Sequence, residues 1–274
     1  MSDALREKAI RFRALHDGPG AFIIPNPWDT ASAKILAGLG FPALATSSAA
    51  CAVGLGRRDG GITRDEALAH AASIATATDL PVSADLEKGF GDAPEVVAET
   101  IRRAAEAGVV GCTIEDTTGR AEAPLYEFSL AVERIAAAAE AARSLDFPFM
   151  LTARTHNLLF AEPKLEETLR RLQAFESAGA DVLFAPGLPN LGAVRTVCSA
   201  VSKPFNFMVG LPGKSFPAEE LAAAGVRRIS LATSLFRAAM SALIETARGV
   251  RATGEFAFVD RVASTGEICK IMGI

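Results

Sequence analysis

Two carboxylates follow a short apolar run in the first third of the chain. Asp85 and Glu87 close residues 81–87, and Gly89 and Gly91 come directly after them. Side chains two residues apart in a strand share a face, so both carboxylates could serve one hard cation, directly or through water. The glycines would allow a tight turn just beyond the strand. The pattern predicts a metal site at the end of a buried strand, and a pair of solvated charges is the alternative interpretation.

Other apolar runs also carry polar residues near their ends. Glu115 lies at the end of residues 109–116, Arg154 ends residues 149–154, and Asn206 lies in a later run. If these ends meet, the acids could hold a divalent cation through carboxylates and water while Arg154 balances an anionic ligand. An ion pair in which Arg154 only neutralises Glu115 is the alternative.

Strand-like and helix-like runs alternate along the chain and supply a framework for these residues. The expected strands are residues 21–27, 41–48, 81–87, 109–116, 149–154, 181–186, 204–209 and 228–232. Eight strands alternating with helices, without a linker, favour a parallel sheet closed as a (β/α)8 TIM-type barrel, whose strand ends form one functional face. A doubly wound sheet is the main alternative, but the Gly-x-Gly-x-x-Gly fingerprint after a first strand is absent.

The segments between and after these strands complete the expected organisation. Residues 47–61 are expected to form a glycine-bearing loop, and Thr63 with Glu66 has the sequence of a helix capping box. We expect one domain over residues 1–274, with a C-terminal helical extension over about 235–274.

Composition excludes several classes of function. Half of the 274 residues are hydrophobic, which is enough for a sizeable core, and the net charge of −4 leaves no basic footprint for nucleic acid. No window reaches the ~18 apolar residues of a membrane span, so no membrane association is expected. Cys51, Cys112, Cys198 and Cys269 show no paired C-x-x-C spacing, as expected of reduced thiols in a cytoplasmic protein.

Six short segments carry a family resemblance. Residues 25–29, 46–49, 83–91, 111–116, 152–154 and 204–206 resemble, in order, the successive motifs of the isocitrate lyase and phosphoenolpyruvate mutase superfamily. The resemblance implies a (β/α)8 barrel that assembles as a homodimer or homotetramer with its last helix swapped between subunits. It also implies Mg²⁺, with Mn²⁺ as an alternative, used to bind a small 2-oxo carboxylate or its enolate.

The resemblance also assigns roles to particular residues. The metal shell would be formed by Asp85, Glu87 and Glu115, although the second acid is an Asp in many members. Asp59 would act in catalysis by supporting the metal waters or gating the site, and Arg154 by steadying the oxyanion or a second anionic group. The implied substrate-binding residues are Trp28, Ser47, Ser48, Ala49, Asp85, Arg154 and Asn206. His156 would lie near the ligand, and His16 and His70 are expected at the surface.

One loop departs from the family pattern. Isocitrate and methylisocitrate lyases carry a Lys-Lys-Cys-Gly-His loop after the Ile-Glu-Asp motif, whereas residues 117–126 contain no Cys, His or Lys. They also lack the asparagine-bearing gate of phosphoenolpyruvate mutases. Cys112 lies inside a predicted strand and is expected to be a structural thiol. We therefore expect a Mg²⁺-dependent C–C lyase or decarboxylase of the oxaloacetate or substituted-malate type. A P–C bond mutase or hydrolase of the phosphonopyruvate type and a catalytically weak 2-oxo acid binding protein are the alternatives.

Overall fold

The computed structural model describes residues 3–160 and 164–274 and shows the predicted (β/α)8 barrel. Its eight parallel strands are hydrogen-bonded in the order β1-β8-β7-β6-β5-β4-β3-β2. A backbone hydrogen bond of 3.0 Å from the Ala45 amide to the Pro25 carbonyl joins the two ends of this order. The strands are β1 (Phe22–Ile24), β2 (Leu44–Ala45), β3 (Val82–Asp85), β4 (Gly111–Glu115), β5 (Met150–Arg154), β6 (Val182–Phe184), β7 (Phe205–Met208) and β8 (Arg228–Ser230).

The helices lie between and around these strands. They are α1 (Asp3–Asp17), α2 (Thr30–Gly38), α3 (Ser48–Gly54), α4 (Arg64–Ala77), α5 (Pro94–Glu106), α6 (Phe128–Arg143), α7 (Leu165–Ser177), α8 (Leu191–Ala200), α9 (Ala218–Ala223), α10 (Ser234–Thr253) and α11 (Thr265–Met272). Strand residues and helix alanines pack into one extensive apolar core, as expected of a parallel sheet covered by helices. No helix of the described residues is both long and apolar enough to span a membrane.

The segment after β2 differs from the prediction in its first half. Residues 48–54 form α3 instead of a loop, because Ser47 caps the helix by accepting a hydrogen bond from the Ala50 amide at 3.3 Å. The predicted capping box of α4 is confirmed, with the side chains of Thr63 and Glu66 each accepting from the other's backbone amide.

The C-terminal helices add an exposed apolar surface. Of the residues of α10 only Phe236 is buried, and Leu243 and Ile244 are exposed. Helix α11 packs against α2, where a Cβ added at Gly38 would lie 1.8 Å from the Ile271 carbonyl oxygen. Exchange of these helices between subunits, and the single-domain organisation, stay predictions.

The two histidines expected at the surface are not free surface residues. His16 is 2% exposed, and its Nδ1 lies 2.8 Å from the Phe12 carbonyl oxygen, between the rings of Phe12 and Phe22. His70 is half-buried, with Nε2 2.9 Å from the Trp28 carbonyl oxygen. The prediction failed because an imidazole with a backbone partner can pack like an aromatic ring.

Candidate active site

A cavity of about 930 Å³ opens at the carboxyl ends of the barrel strands. Asp59, Asp85, Glu87, Glu115 and Arg154 all line it. The other residues predicted to bind substrate that line it are Ser47, Ser48, Ala49 and Asn206. The barrel therefore brings together residues that are far apart in the chain, at the face where TIM-type barrels hold their ligands.

Asp85 and Glu87 reach the cavity by different backbone routes. Strand β3 ends at Asp85, and Glu87 follows with a φ of 49°, in the left-handed region. The prediction that both acids share one face of a strand is therefore wrong in its geometry, because a tight turn, rather than strand alternation, directs Glu87 inwards. Ser48 holds Asp85 in place: its amide and its hydroxyl donate to Asp85 Oδ2 at 3.1 and 3.0 Å.

Glu115, the last residue of β4, has three polar neighbours. The Thr117 hydroxyl donates to Glu115 Oε1 at 2.6 Å, His156 Nε2 lies 3.0 Å from Oε2, and Arg154 Nη1 lies 3.6 Å from Oε2. Burial alone would raise the pKa of Glu115, but Arg154 and then His156 outweigh it and hold the pKa below its ordinary value. Glu115 therefore carries its negative charge at neutral pH.

The next residue supports this strand end from behind. Asp116 is buried and accepts from the His156 amide at 2.9 Å and from Arg171 at 3.2 Å. Burial raises the pKa of Asp116, although the His156 amide and Arg171 oppose that rise. Asp116 thus fixes the backbone that presents His156 to Glu115.

Burial and mutual repulsion disfavour the ionised forms of the acids in the cavity. Burial, then the charges of Asp85, Asp59 and Glu115, raise the pKa of Glu87 to about 8. The pKa of Asp59, which lies at the exposed cavity mouth, is raised by burial and then by Asp85 and Glu115. Glu87 Oε1 is buried and has no hydrogen-bond partner among the described residues. A divalent cation would relieve both the repulsion and the unpaired oxygen, so the residues present fit one.

The acids do not enclose a metal ion by themselves. Within residues 3–160 and 164–274, no three Asp, Glu, His or Cys side chains form a group that could hold a metal ion. Oxygens from water or a ligand would have to complete the coordination, as is usual for Mg²⁺. The assignment of Asp85, Glu87 and Glu115 as the metal shell stays a prediction.

Arg154 is placed to meet negative charge on a ligand. Its guanidinium lies 4.7 Å from the centroid of the Phe184 ring, and its buried Nε has no hydrogen-bond partner in the described parts of the chain. The pairing with Glu115 at 3.6 Å therefore leaves donor capacity unused.

Two predicted substrate-binding features differ from expectation. Trp28 is not among the cavity-lining residues, since its ring packs edge-on against Phe236 with centroids 5.6 Å apart. The family resemblance implies that the backbone of residues 47–49 holds the substrate carboxylate, but the Ser48 amide already donates to Asp85. Binding of a substrate carboxylate at residues 47–49 stays a prediction.

The loop formed by residues 117–126 lies over the cavity and is tied down. Three hydroxyls of the loop hold it in place: the Thr117 hydroxyl donates to Glu115, the Thr118 hydroxyl to the Ala123 carbonyl, and the Tyr126 hydroxyl to Asp92. Asp92 shares its carboxylate between three donors, from Tyr126, Arg120 and Lys88. These hydrogen bonds, Tyr126 first, lower the pKa of Asp92 and keep it ionised.

Sequence reasoning did not find Arg228 and Ser230 of β8, which also line the cavity. Both face the barrel interior, where Arg228 Nε donates to Asn206 Oδ1 at 2.8 Å. The sequence carried a signal for them, because residues two apart in a strand share a face, and Arg228 and Ser230 are polar residues two apart in the predicted strand 228–232.

With this geometry in place, comparison with known proteins decides the family. The family model described as phosphoenolpyruvate phosphomutase matches residues 12–251. The chain belongs to this family. The family match also confirms the resemblance to the isocitrate lyase and phosphoenolpyruvate mutase superfamily.

Three proteins are similar to this chain over most of its length. An oxaloacetate decarboxylase from Bradyrhizobium diazoefficiens is 30% identical over 255 residues, which is 90% of this chain and 86% of the relative. The 2-methylisocitrate lyase of Escherichia coli is 33% identical over 209 residues, 73% of this chain and 69% of the relative. A structure from Burkholderia cenocepacia J2315, described without a settled activity as a lyase/mutase, is 50% identical with a TM-score of 0.97 and covers 100% of this chain and 98% of its own.

Proposed function

We propose that this protein is a Mg²⁺-dependent C–C lyase that decarboxylates a 2-oxo dicarboxylate of the oxaloacetate type, with substituted malates as the related substrate class. The observation that carries the proposal is the combination of four acids and Arg154 in one cavity with a covering loop that offers no thiol, imidazole or amine. The oxaloacetate decarboxylase relative, which covers most of the chain, supports the same class.

The missing loop side chains favour decarboxylation over cleavage of a 2-hydroxy acid. Cleaving an isocitrate-type substrate requires a base that removes the hydroxyl proton as the C–C bond breaks. When the carboxylate on carbon 3 of a 2-oxo dicarboxylate such as oxaloacetate leaves as CO2, the electron pair of the broken C–C bond forms an enolate with the 2-oxo group, and carbon 3 then takes a proton from water. No base is needed for the bond-breaking step, so a loop without Cys, His or Lys is sufficient.

The chain's own residues would divide the work of this reaction. Asp85, Glu87 and Glu115 would hold the cation, which when bound would supply Lewis-acid stabilisation of the charge on the 2-oxo oxygen. Arg154 would stabilise charge that develops on the ligand, with its unpaired Nε and its guanidinium face held by Phe184. The loop of residues 117–126 would exclude bulk water.

The test is Mg²⁺-dependent release of pyruvate from oxaloacetate, compared with substituted malates and phosphonopyruvate. We expect oxaloacetate to be turned over above the metal-catalysed background, with substituted malates slower. Preference for phosphonopyruvate would favour the alternative function as a P–C bond mutase or hydrolase, which the phosphomutase description of the family supports. Binding of 2-oxo acids with Mg²⁺ but no turnover of any candidate would identify a binding protein.

Three further properties belong to the same proposal. We infer that the cation is Mg²⁺ or Mn²⁺, because carboxylates surround the site and none of the cavity-lining residues that the structure describes is a cysteine. Assembly as a homodimer or homotetramer is supported by the exposed apolar residues of α10. A cytoplasmic location rests on the cysteine pattern, and all four cysteines are free.

A further inference from the structure

Arg228 is a buried charge that the proposed reaction does not use. It is 4% exposed, lies at the start of β8, and is the register partner of Asn206 on β7. No Asp or Glu of the described residues forms an ion pair with it. Burial lowers the pKa of Arg228 to about 9, which leaves it protonated at neutral pH. Because an uncompensated buried charge is unfavourable, its contacts in the cavity wall are of interest.

The hydrogen bonds that start at Arg228 run in one direction. A guanidinium only donates, so the 2.8 Å contact requires that Asn206 present its carbonyl oxygen to Arg228. The amide nitrogen of Asn206 then faces Ser230 and donates to its hydroxyl oxygen at 3.0 Å. The hydroxyl proton of Ser230 and the second N–H of Asn206 are left to donate elsewhere.

This set of donors stands across the barrel from the acids. In an eight-stranded ring, β7 and β8 lie opposite β3 and β4, which carry Asp85 and Glu115. Asn206, Arg228 and Ser230 all line the same cavity as the acids. The group that suits free N–H and O–H donors is an acceptor-only anion such as a carboxylate.

We propose that Arg228 is a positioning residue: by fixing the amide of Asn206, it makes Asn206 and Ser230 donors to the second carboxylate of a dicarboxylate substrate. The inference rests on the proposed function for its substrate class and deepens it. A ligand without the second carboxylate should not depend on Arg228.

Calorimetric binding with Mg²⁺ present tests this with two probes that need no turnover. L-malate carries a second carboxylate, and L-lactate lacks it. We expect wild type to bind L-malate more tightly than L-lactate, and Arg228→Met to weaken L-malate binding about 10-fold or more while L-lactate changes less than about 2-fold. Arg228→Lys, which keeps one donor for Asn206, should recover part of the loss. Arg227→Met is the matched control, because Arg227 donates to the Gly20 carbonyl outside the cavity.

Two further variants separate positioning from direct contact and from folding. If Arg228 acts through Asn206, Arg228→Met should have no additional effect on L-malate binding in an Asn206→Ala background, whereas additive losses would refute the positioning role. Asn206→Asp supplies the missing counter-ion for Arg228 but removes the amide donors, so it should raise the melting temperature and still lose L-malate binding.

The remaining outcomes are decisive as well. Equal binding of the two probes by wild type, or unchanged L-malate binding in Arg228→Met, would overturn the inference. If the wild-type protein does not turn over oxaloacetate but still binds L-malate more tightly than L-lactate, the proposed reaction is refuted and the role of Arg228 is not. If Arg228→Met does not fold, Asn206→Asp and Arg228→Lys carry the same test.

Discussion

Replacing Arg154 by lysine separates transition-state stabilisation from substrate binding. The Arg154 side chain is 15% exposed, and three features define its role: the 3.6 Å approach to Glu115, the stacking on Phe184 and the unpartnered Nε. Lysine keeps the positive charge but loses the planar fork and the ring contact. Losing one donor aimed at developing charge lowers kcat by roughly 10²- to 10³-fold. Because the charge remains, we expect the lower end, about 100-fold.

The assay is the steady-state rate of Mg²⁺-dependent pyruvate release from oxaloacetate, with kcat and KM determined separately. Cys112→Ala is the control, because burial raises the pKa of this fully buried thiol and keeps it unreactive. We expect Cys112→Ala to retain nearly normal turnover. If Arg154→Lys raises KM but leaves kcat within about threefold, Arg154 contributes only to ground-state binding and the reasoning is refuted. A folded but inactive Cys112→Ala would instead refute the argument from the loop.

Four other expectations can be checked directly. Excess EDTA should abolish turnover reversibly, and Asp85→Ala should lose it; an unchanged rate in either case would exclude the metal mechanism. His16, whose pKa is lowered to about 3 by burial and then by Arg228, binds its proton more readily when unfolded. Unfolding free energy should therefore fall below pH 6.5 by up to about 1.4 kcal/mol per pH unit, and less in His16→Phe, as denaturant titrations at several pH values would show. Asp92→Ala removes the acceptor that the loop residues Arg120 and Tyr126 share with Lys88, so limited proteolysis within residues 117–126 should become faster while the melting temperature changes little. Light scattering should show a dimer or tetramer, and a monomer at micromolar concentration would refute the predicted assembly.

The barrel was predictable because its signals are local and repeated. Each strand is a short apolar run bounded by turn residues, and small errors at the ends do not change the count. The short helix α3 was missed because its helical signal is only seven residues long and depends on the cap at Ser47. Its glycine-rich continuation resembled a loop throughout.

The site was predictable as a set of residues but not as a geometry. Asp85, Glu115 and Arg154 end their strands as expected, since the carboxyl ends of parallel strands converge. The left-handed backbone at Glu87 belongs to a tight turn, closed by a 2.8 Å hydrogen bond from the Gly89 amide to the Leu86 carbonyl, which strand alternation does not predict. The Trp28 ring packs edge-on against Phe236, which lies more than two hundred residues further along the chain. A contact between residues so far apart in sequence cannot be read from local patterns.

The charge distribution of the cavity also affects how tightly an anionic ligand can bind. Burial and then the charges of Asp85, Asp59 and Glu115 raise the pKa of Glu87 to about 8, and the ionised acids would also repel the carboxylate of a 2-oxo acid. Arg154 already offsets part of the charge of Glu115, so it cannot neutralise the whole wall. A substrate with two carboxylates would meet donors on β7 and β8 but repulsion on β3 and β4. On the proposed mechanism, a substrate with two carboxylates should therefore bind across the barrel more tightly when a divalent cation offsets the charge of the acids, so its affinity should depend on the cation.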